Sequence, residues 1–168
     1  MENYIVDFEG YPVGNGNYVI KELTIVDVGS LKFRQFVVKR PNGEFLALSN
    51  KDRQAYYWVT ENLNALAWGE ISAKHEVVDE AWLIKFLCRR SHFGSLYVRG
   101  MQKFEYLRRL LECPVILFDN RIAHIAQATY MATNHCGLPA HESVLHCSTR
   151  KAVTMAKCLA DRFPHLAE

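Results

Sequence analysis

Over roughly the first 40 residues the apolar side chains come in short, strand-like runs; beyond them the period becomes helical. Tyr4–Phe8 reads as a first strand, and residues 10–17, dense in Gly, Pro and Asn, as a turn segment. Tyr18–Val28 reads as a second strand, turning through Gly29 and Ser30 into a third at Leu31–Lys39, with Pro41, Asn42 and Gly43 closing a meander. Ser49 offers an N-cap for a helix over Lys51–Ala65, where Tyr56, Val59, Leu63 and Leu66 recur at helical spacing. Further helices are expected over Asp79–Leu87, Gln102–Leu111, Ile122–Met131 and from Ser148 to Phe163. Short strands are expected at Ser95–Arg99 and Val115–Phe118, and an irregular His/Cys-rich loop at His135–Cys147.

Three meandering strands followed by two more reached through helices make a mixed α/β pattern. The right-handed crossover rule places the fourth strand beside the first, so the expected sheet order is 3-2-1-4-5 with strand one central. The 168 residues suit a single domain with a sizeable core. Apolar residues at 49% and charged residues at 23% are ordinary for a globular chain, and a net charge of +2 does not by itself announce a nucleic-acid binder. There is no run long enough to cross a membrane and no signal-peptide pattern. Five cysteines without such a signal read as reduced thiols in an intracellular compartment, cytoplasmic or nuclear.

Candidate chemistry begins in strand one. Asp7 and Glu9 stand at i, i+2, so both carboxylates share one face while Val6 and Phe8 point the other way. Two readings are open: a cation sits between the acids, or Glu9 starts a turn and both acids are solvated at a strand end. The Asp-x-Glu at the end of this strand, and the Glu22-Leu23-Thr24-Ile25 run on the next, resemble the DEDD family of 3′–5′ exonucleases with its ribonuclease H-like fold. The resemblance implies a five-stranded mixed sheet flanked by helices, with Asp7 and Glu9 as ligands of paired Mg²⁺ or Mn²⁺ ions and RNA or single-stranded DNA as substrate.

The family's other two motifs are altered. Lys103 or Glu105 stands where the helix after strand four should carry an Asp, and Lys151 stands where the last motif, led by His146, should. An ammonium ~4 Å from a divalent ion opposes it by several kcal/mol at an effective dielectric near ~20. The expected role is therefore binding of RNA or single-stranded DNA without DEDD catalysis, with Arg99, Lys103, Arg150 and Lys151 lining the old cleft. An active nuclease built on Asp7 and Glu9, with Glu105 and Asp119 as further acids, and a protein-interaction domain on the same fold are the alternatives.

Cys136, His141 and Cys147 are spaced so that one loop could wrap a Zn²⁺, leaving a fourth position open; a metal-free loop with buried thiols is the other reading. This set resembles the Maelstrom domain, a DEDD-derived fold with a Glu-Cys-His-Cys zinc site. That resemblance implies Glu22 as the fourth ligand of a structural zinc, with His146 or His135 as substitutes. Trp58, Trp68 and Trp82 read as core or helix-packing residues rather than base-stacking platforms, and Cys88, Cys113 and Cys158 as buried thiols.

Overall fold

The computed structural model describes residues 2–69, 76–92, 94–111, 113–118 and 147–167. Six strands form one sheet: β1 (Glu2–Val13), β2 (Asn17–Asp27), β3 (Phe33–Val38), β4 (Glu76–Val78), β5 (Gly94–Val98) and β6 (Val115–Leu117). Their order is β4-β3-β2-β1-β5-β6. The helices are α1 (Asn42–Ala47), α2 (Asn50–Val59), α3 (Glu80–Ser91), α4 (Met101–Leu110) and α5 (Ser148–Arg162). β2 runs antiparallel to both β1 and β3, while β5 is parallel to β1 and β6 parallel to β5. The expected five-strand order is thus present, extended at one edge by β4, which pairs parallel with Phe36–Val38. Three residues are too few for a period to register, so β4 was not visible in the hydrophobic pattern. The expected helix over Ile122–Met131 lies outside the described residues. Among the described residues no helix is long and apolar enough to cross a membrane.

β1 is longer than Tyr4–Phe8 because the chain does not turn at Gly10. The register slips there, so that Glu9 faces Glu22 but Gly10 faces Ile20, leaving Lys21 as the extra residue of a β-bulge on β2. A Cβ on Gly10 would lie 1.9 Å from the Val19 carbonyl oxygen, so only glycine admits this approach. The reversal comes later, at Asn15 (φ 64°) and Gly16 (φ 68°), the Asn-Gly pair suited to a hairpin with both central residues left-handed. Lys21 is buried by the bulge, and its Nζ donates to the Trp68 carbonyl at 2.6 Å, tying the segment after α2 to the sheet. α2 is capped by Ser49, whose Oγ accepts from the Asp52 amide, but the expected Lys51–Ala65 helix loosens into a π turn over Thr60–Asn64.

Alternation along β1 divides the core. Tyr4, Val6 and Phe8 pack against Leu83 and Leu87 of α3 and Leu107 of α4. Ile5 packs on the other face, against Ala152, Val153, Met155, Ala156 and Leu159 of α5. Asp7 and Glu9 share the Ile5 face, so α5 lies over them, and cross-strand pairing brings Thr24 and Glu22 to the same face. The apolar helix α5 therefore crosses the sheet with its first turn above four polar strand residues.

Candidate functional site: a carboxylate pair closed by two lysines

Asp7 and Glu9 are 1% and 6% exposed. Neither is solvated at a strand end, because β1 continues past them and α4 and α5 close over them. Lys103, in the first turn of α4, places Nζ 2.9 Å from Asp7 Oδ1 and 3.3 Å from Glu9 Oε1, and also donates to the Phe8 carbonyl. Lys151, one turn into α5, donates to Glu9 Oε1 at 2.5 Å. Two lysines on two helices thus meet two acids on one strand. Asp7 Oδ2 is buried with no hydrogen-bond partner among the described residues.

The electrostatics follow from burial and charge together. Burial pushes the Asp7 carboxyl above the usual aspartate range, against the pull of Lys103 and Lys151. Burial alone would lower Lys103, but Asp7 and Glu9 outweigh it and hold the ammonium charged well above the ordinary lysine range. Tyr18, beside this cluster, has its phenol pushed up by burial and stays a neutral hydroxyl.

Beside the ion pairs the polar patch continues. Thr24 Oγ1 lies 2.9 Å from both Ser148 Oγ and Thr149 Oγ1, and Glu22 accepts the Ser148 amide at 3.0 Å and the Ser148 hydroxyl. A carboxylate at the free amides of a helix N-terminus is favourable both as a cap and against the helix dipole. This hydroxyl cluster was missed in the sequence, because only the strand register shows that Thr24 and Glu22 share a face with Asp7.

A cavity of about 460 Å³ opens from Glu9, bounded by Pro12, Tyr18, Val59 and Gln102 and rimmed by Trp58. Trp58 is 57% exposed and Trp82 39%, whereas Trp68 is buried as expected. Trp82 packs on Phe86 of its own helix, whereas Trp58 departs from the core or helix-packing expectation. It follows the buried Tyr56 by two positions on α2, which puts it on the opposite side of that helix.

The other candidate residues are dispersed. Glu105 is exposed on α4 and shares no described hydrogen bond with Asp7 or Glu9. Arg150 is 6% exposed in the first turn of α5, and Arg99 is half-buried just after β5. Of the zinc candidates, Glu22 and Cys147 are both fully buried, and the Ser148 amide on Glu22 brings the residue after Cys147 against that carboxylate. Asp119, His135, Cys136, His141 and His146 lie outside the described residues. Among the described residues no group of three or more His, Cys, Asp or Glu side chains could hold a metal ion.

No protein-family profile matches the chain, and no curated protein matches it. Solved structures do. A structure of exonuclease I superposes over 99% of this chain with a TM-score of 0.53 at 12% identity. The zinc-bound Escherichia coli exonuclease I complex with single-stranded DNA gives a TM-score of 0.49 at 12% identity, covering 98% of this chain and 41% of that one. The fold is that of the ribonuclease H-like exonucleases: a mixed sheet flanked by helices, with the Asp-x-Glu strand in its interior. The chain spans 42% of the length of the first exonuclease I it superposes on.

Breaking one side of a buried ion pair leaves the other side's charge unpaired, so Lys103→Met is expected to lower stability by about 3–5 kcal/mol at neutral pH. Lys103 has a folded pKa above its unfolded one, so its stabilisation is complete below about pH 10 and is lost as pH rises through the folded value. Asp7 is also raised, so protonation relieves the variant from above the usual aspartate range downward. Urea unfolding of both proteins across pH should show a gap that is flat near neutrality and narrows toward acid.

Proposed function

We propose that the chain is a nucleic-acid-binding domain for RNA or single-stranded DNA, built on an exonuclease fold that has exchanged its two-metal centre for two lysines. The observation that carries this reading is the neutralised acid pair, Asp7 and Glu9 with Lys103 and Lys151, opening onto a cavity rimmed by an exposed tryptophan. Mg²⁺ or Mn²⁺ does not fit the residues present. A divalent ion at the carboxylates would have to displace Lys103 from both of them and Lys151 from Glu9. The lysines make the cleft floor neutral instead of doubly negative, which permits a phosphodiester to approach without a metal. Trp58 supplies a face on which a base stacks, and stacking is tolerant of sequence. Arg99, half-buried just after β5, is a further cation assigned to nucleic-acid binding in this reading.

The second part of this proposal is a structural Zn²⁺, supported in the described residues by the chemistry of two buried side chains. Glu22 accepts the amide of Ser148, the residue after Cys147, and both Glu22 and Cys147 are buried, an oxygen and a sulfur donor; the proposed set adds Cys136 and His141, with His146 as the substitute. A bound zinc would supply a structural crosslink between β2, α5 and the segment before it. That combination, altered exonuclease acids with a Glu-Cys-His-Cys site, makes the domain Maelstrom-like.

Fluorescence anisotropy with single-stranded RNA and DNA oligonucleotides should give saturable binding without Mg²⁺. Trp58→Ala should weaken it about tenfold, the lower range for one stacked base. Mn²⁺-dependent 3′–5′ digestion abolished by Asp7→Ala would replace this reading with an active nuclease. Elemental analysis of the purified chain should find about one zinc per molecule, with Cys147→Ser lowering the metal content and the melting temperature. Metal-free protein of unchanged stability would remove the zinc.

A further inference from the structure

Stacking on Trp58 reads no sequence, so any preference among bases has to come from groups that meet the edge of a base. The cavity of about 460 Å³ beside Glu9 offers few of them. Its walls are carbon: Pro12 from β1, Ala55 and Val59 from α2, and Leu63 from the π turn that follows. Ala55, Trp58 and Val59 stand at i, i+3 and i+4, so one stripe of α2 supplies both the apolar wall and the indole at its rim. Among the described residues no lysine or arginine lines this cavity.

The polar side chains of the lining are Glu9, Tyr18, Trp58 and Gln102. Glu9 is engaged by Lys103 and Lys151. The Tyr18 hydroxyl takes a hydrogen bond from the Gly10 backbone. The Trp58 indole offers a donor and no acceptor. Gln102 is exposed in the first turn of α4 and has no hydrogen-bond partner among the described residues. Its amide carries an acceptor and a donor side by side. It directly precedes Lys103, so the turn that sets Lys103 on the acids also brings Gln102 to the cavity.

A base that enters an apolar cavity loses its water, and each polar group left without a partner adds to the cost. Guanine, cytosine, uracil and thymine each carry two exocyclic polar groups. Adenine carries one, the N6 amino group, with a ring-nitrogen acceptor beside it. A single side-chain amide meets that edge completely: its oxygen accepts from N6 and its nitrogen donates to the neighbouring ring nitrogen. Any other base leaves an exocyclic group against carbon.

We propose that the cavity takes an adenine base of a single strand, stacked on Trp58 and read by the Gln102 amide; this rests on the nucleic-acid reading above and adds a base preference to it. Charge favours the adenine of a strand over that of a free nucleotide. A terminal phosphate carries about two negative charges and a phosphodiester a single one. The cations nearest Glu9, Lys103 and Lys151, already hold carboxylates.

The test compares single-stranded oligonucleotides of one length, all adenine, all cytosine or all thymine, by fluorescence anisotropy on the full chain. The adenine strand should bind about fivefold more tightly, the lower end for one bidentate pair. Replacing its adenines by unsubstituted purine, which lacks the N6 amino group, should abolish the preference, and so should Gln102→Leu. Trp58→Ala should weaken every sequence, which separates loss of stacking from loss of edge reading. AMP should fail to displace the adenine strand at concentrations where the unlabelled strand does so. Equal binding of the three sequences, a preference that survives removal of N6 or of the Gln102 amide, or displacement by AMP as effective as by the strand would each overturn this proposal while strand binding stands. Binding of no oligonucleotide at all would overturn the nucleic-acid reading and this proposal with it.

Discussion

Two carboxylates on one face of a buried strand cannot stay ionised together without a countercharge, and the rest of the fold depends on how Asp7 and Glu9 obtain theirs. At ~5 Å two like charges repel by about 3 kcal/mol at an effective dielectric of ~20, before either is desolvated. Here the countercharge comes from the chain itself. Lys103 is delivered by the first turn of α4 and Lys151 by the first turn of α5. The ion pairs therefore fix both helices against the central strand. They also fix the position of Ser148, which precedes Lys151 and donates to Glu22. Catalysis and stability pull in opposite directions at such a site. Here the two carboxylates hold the helices.

Much of this was legible in the sequence, and the parts that were not have physical reasons. The i, i+2 spacing of Asp7 and Glu9 put both on one face, and the crossover rule made their strand internal; both hold. The lysines at the altered motif positions were visible as residue types, and the structure places their Nζ atoms on the acids. The length of β1 was not legible, because Gly10 and Pro12 read as a turn. Here Gly10 permits a close strand approach instead, with the bulge carried by Lys21 on the partner strand. The Thr24, Ser148 and Thr149 cluster depends on register across 124 residues or more, which no local pattern carries. Trp58 was hidden by statistics: tryptophan on an amphipathic helix is usually buried, and only the packing of Tyr56 against Tyr11 and Trp68 shows which side of α2 faces inward.

The two ends of the sheet are built on different economies of charge. At the Asp7 end, acids and bases cancel inside a cluster beside a cavity rimmed by an exposed tryptophan. At the Tyr4 end, cations are stacked on rings and left half-exposed.

The central claim is that a lysine occupies the place of a metal. A crystal structure of the chain soaked in Mn²⁺, with anomalous differences measured at the manganese edge, tests it most directly. The account predicts Lys103 Nζ between Asp7 and Glu9 and no anomalous peak within coordination distance, about 2.2 Å, of either carboxylate. A manganese peak bridging Asp7 and Glu9, with Lys103 turned away, would contradict it.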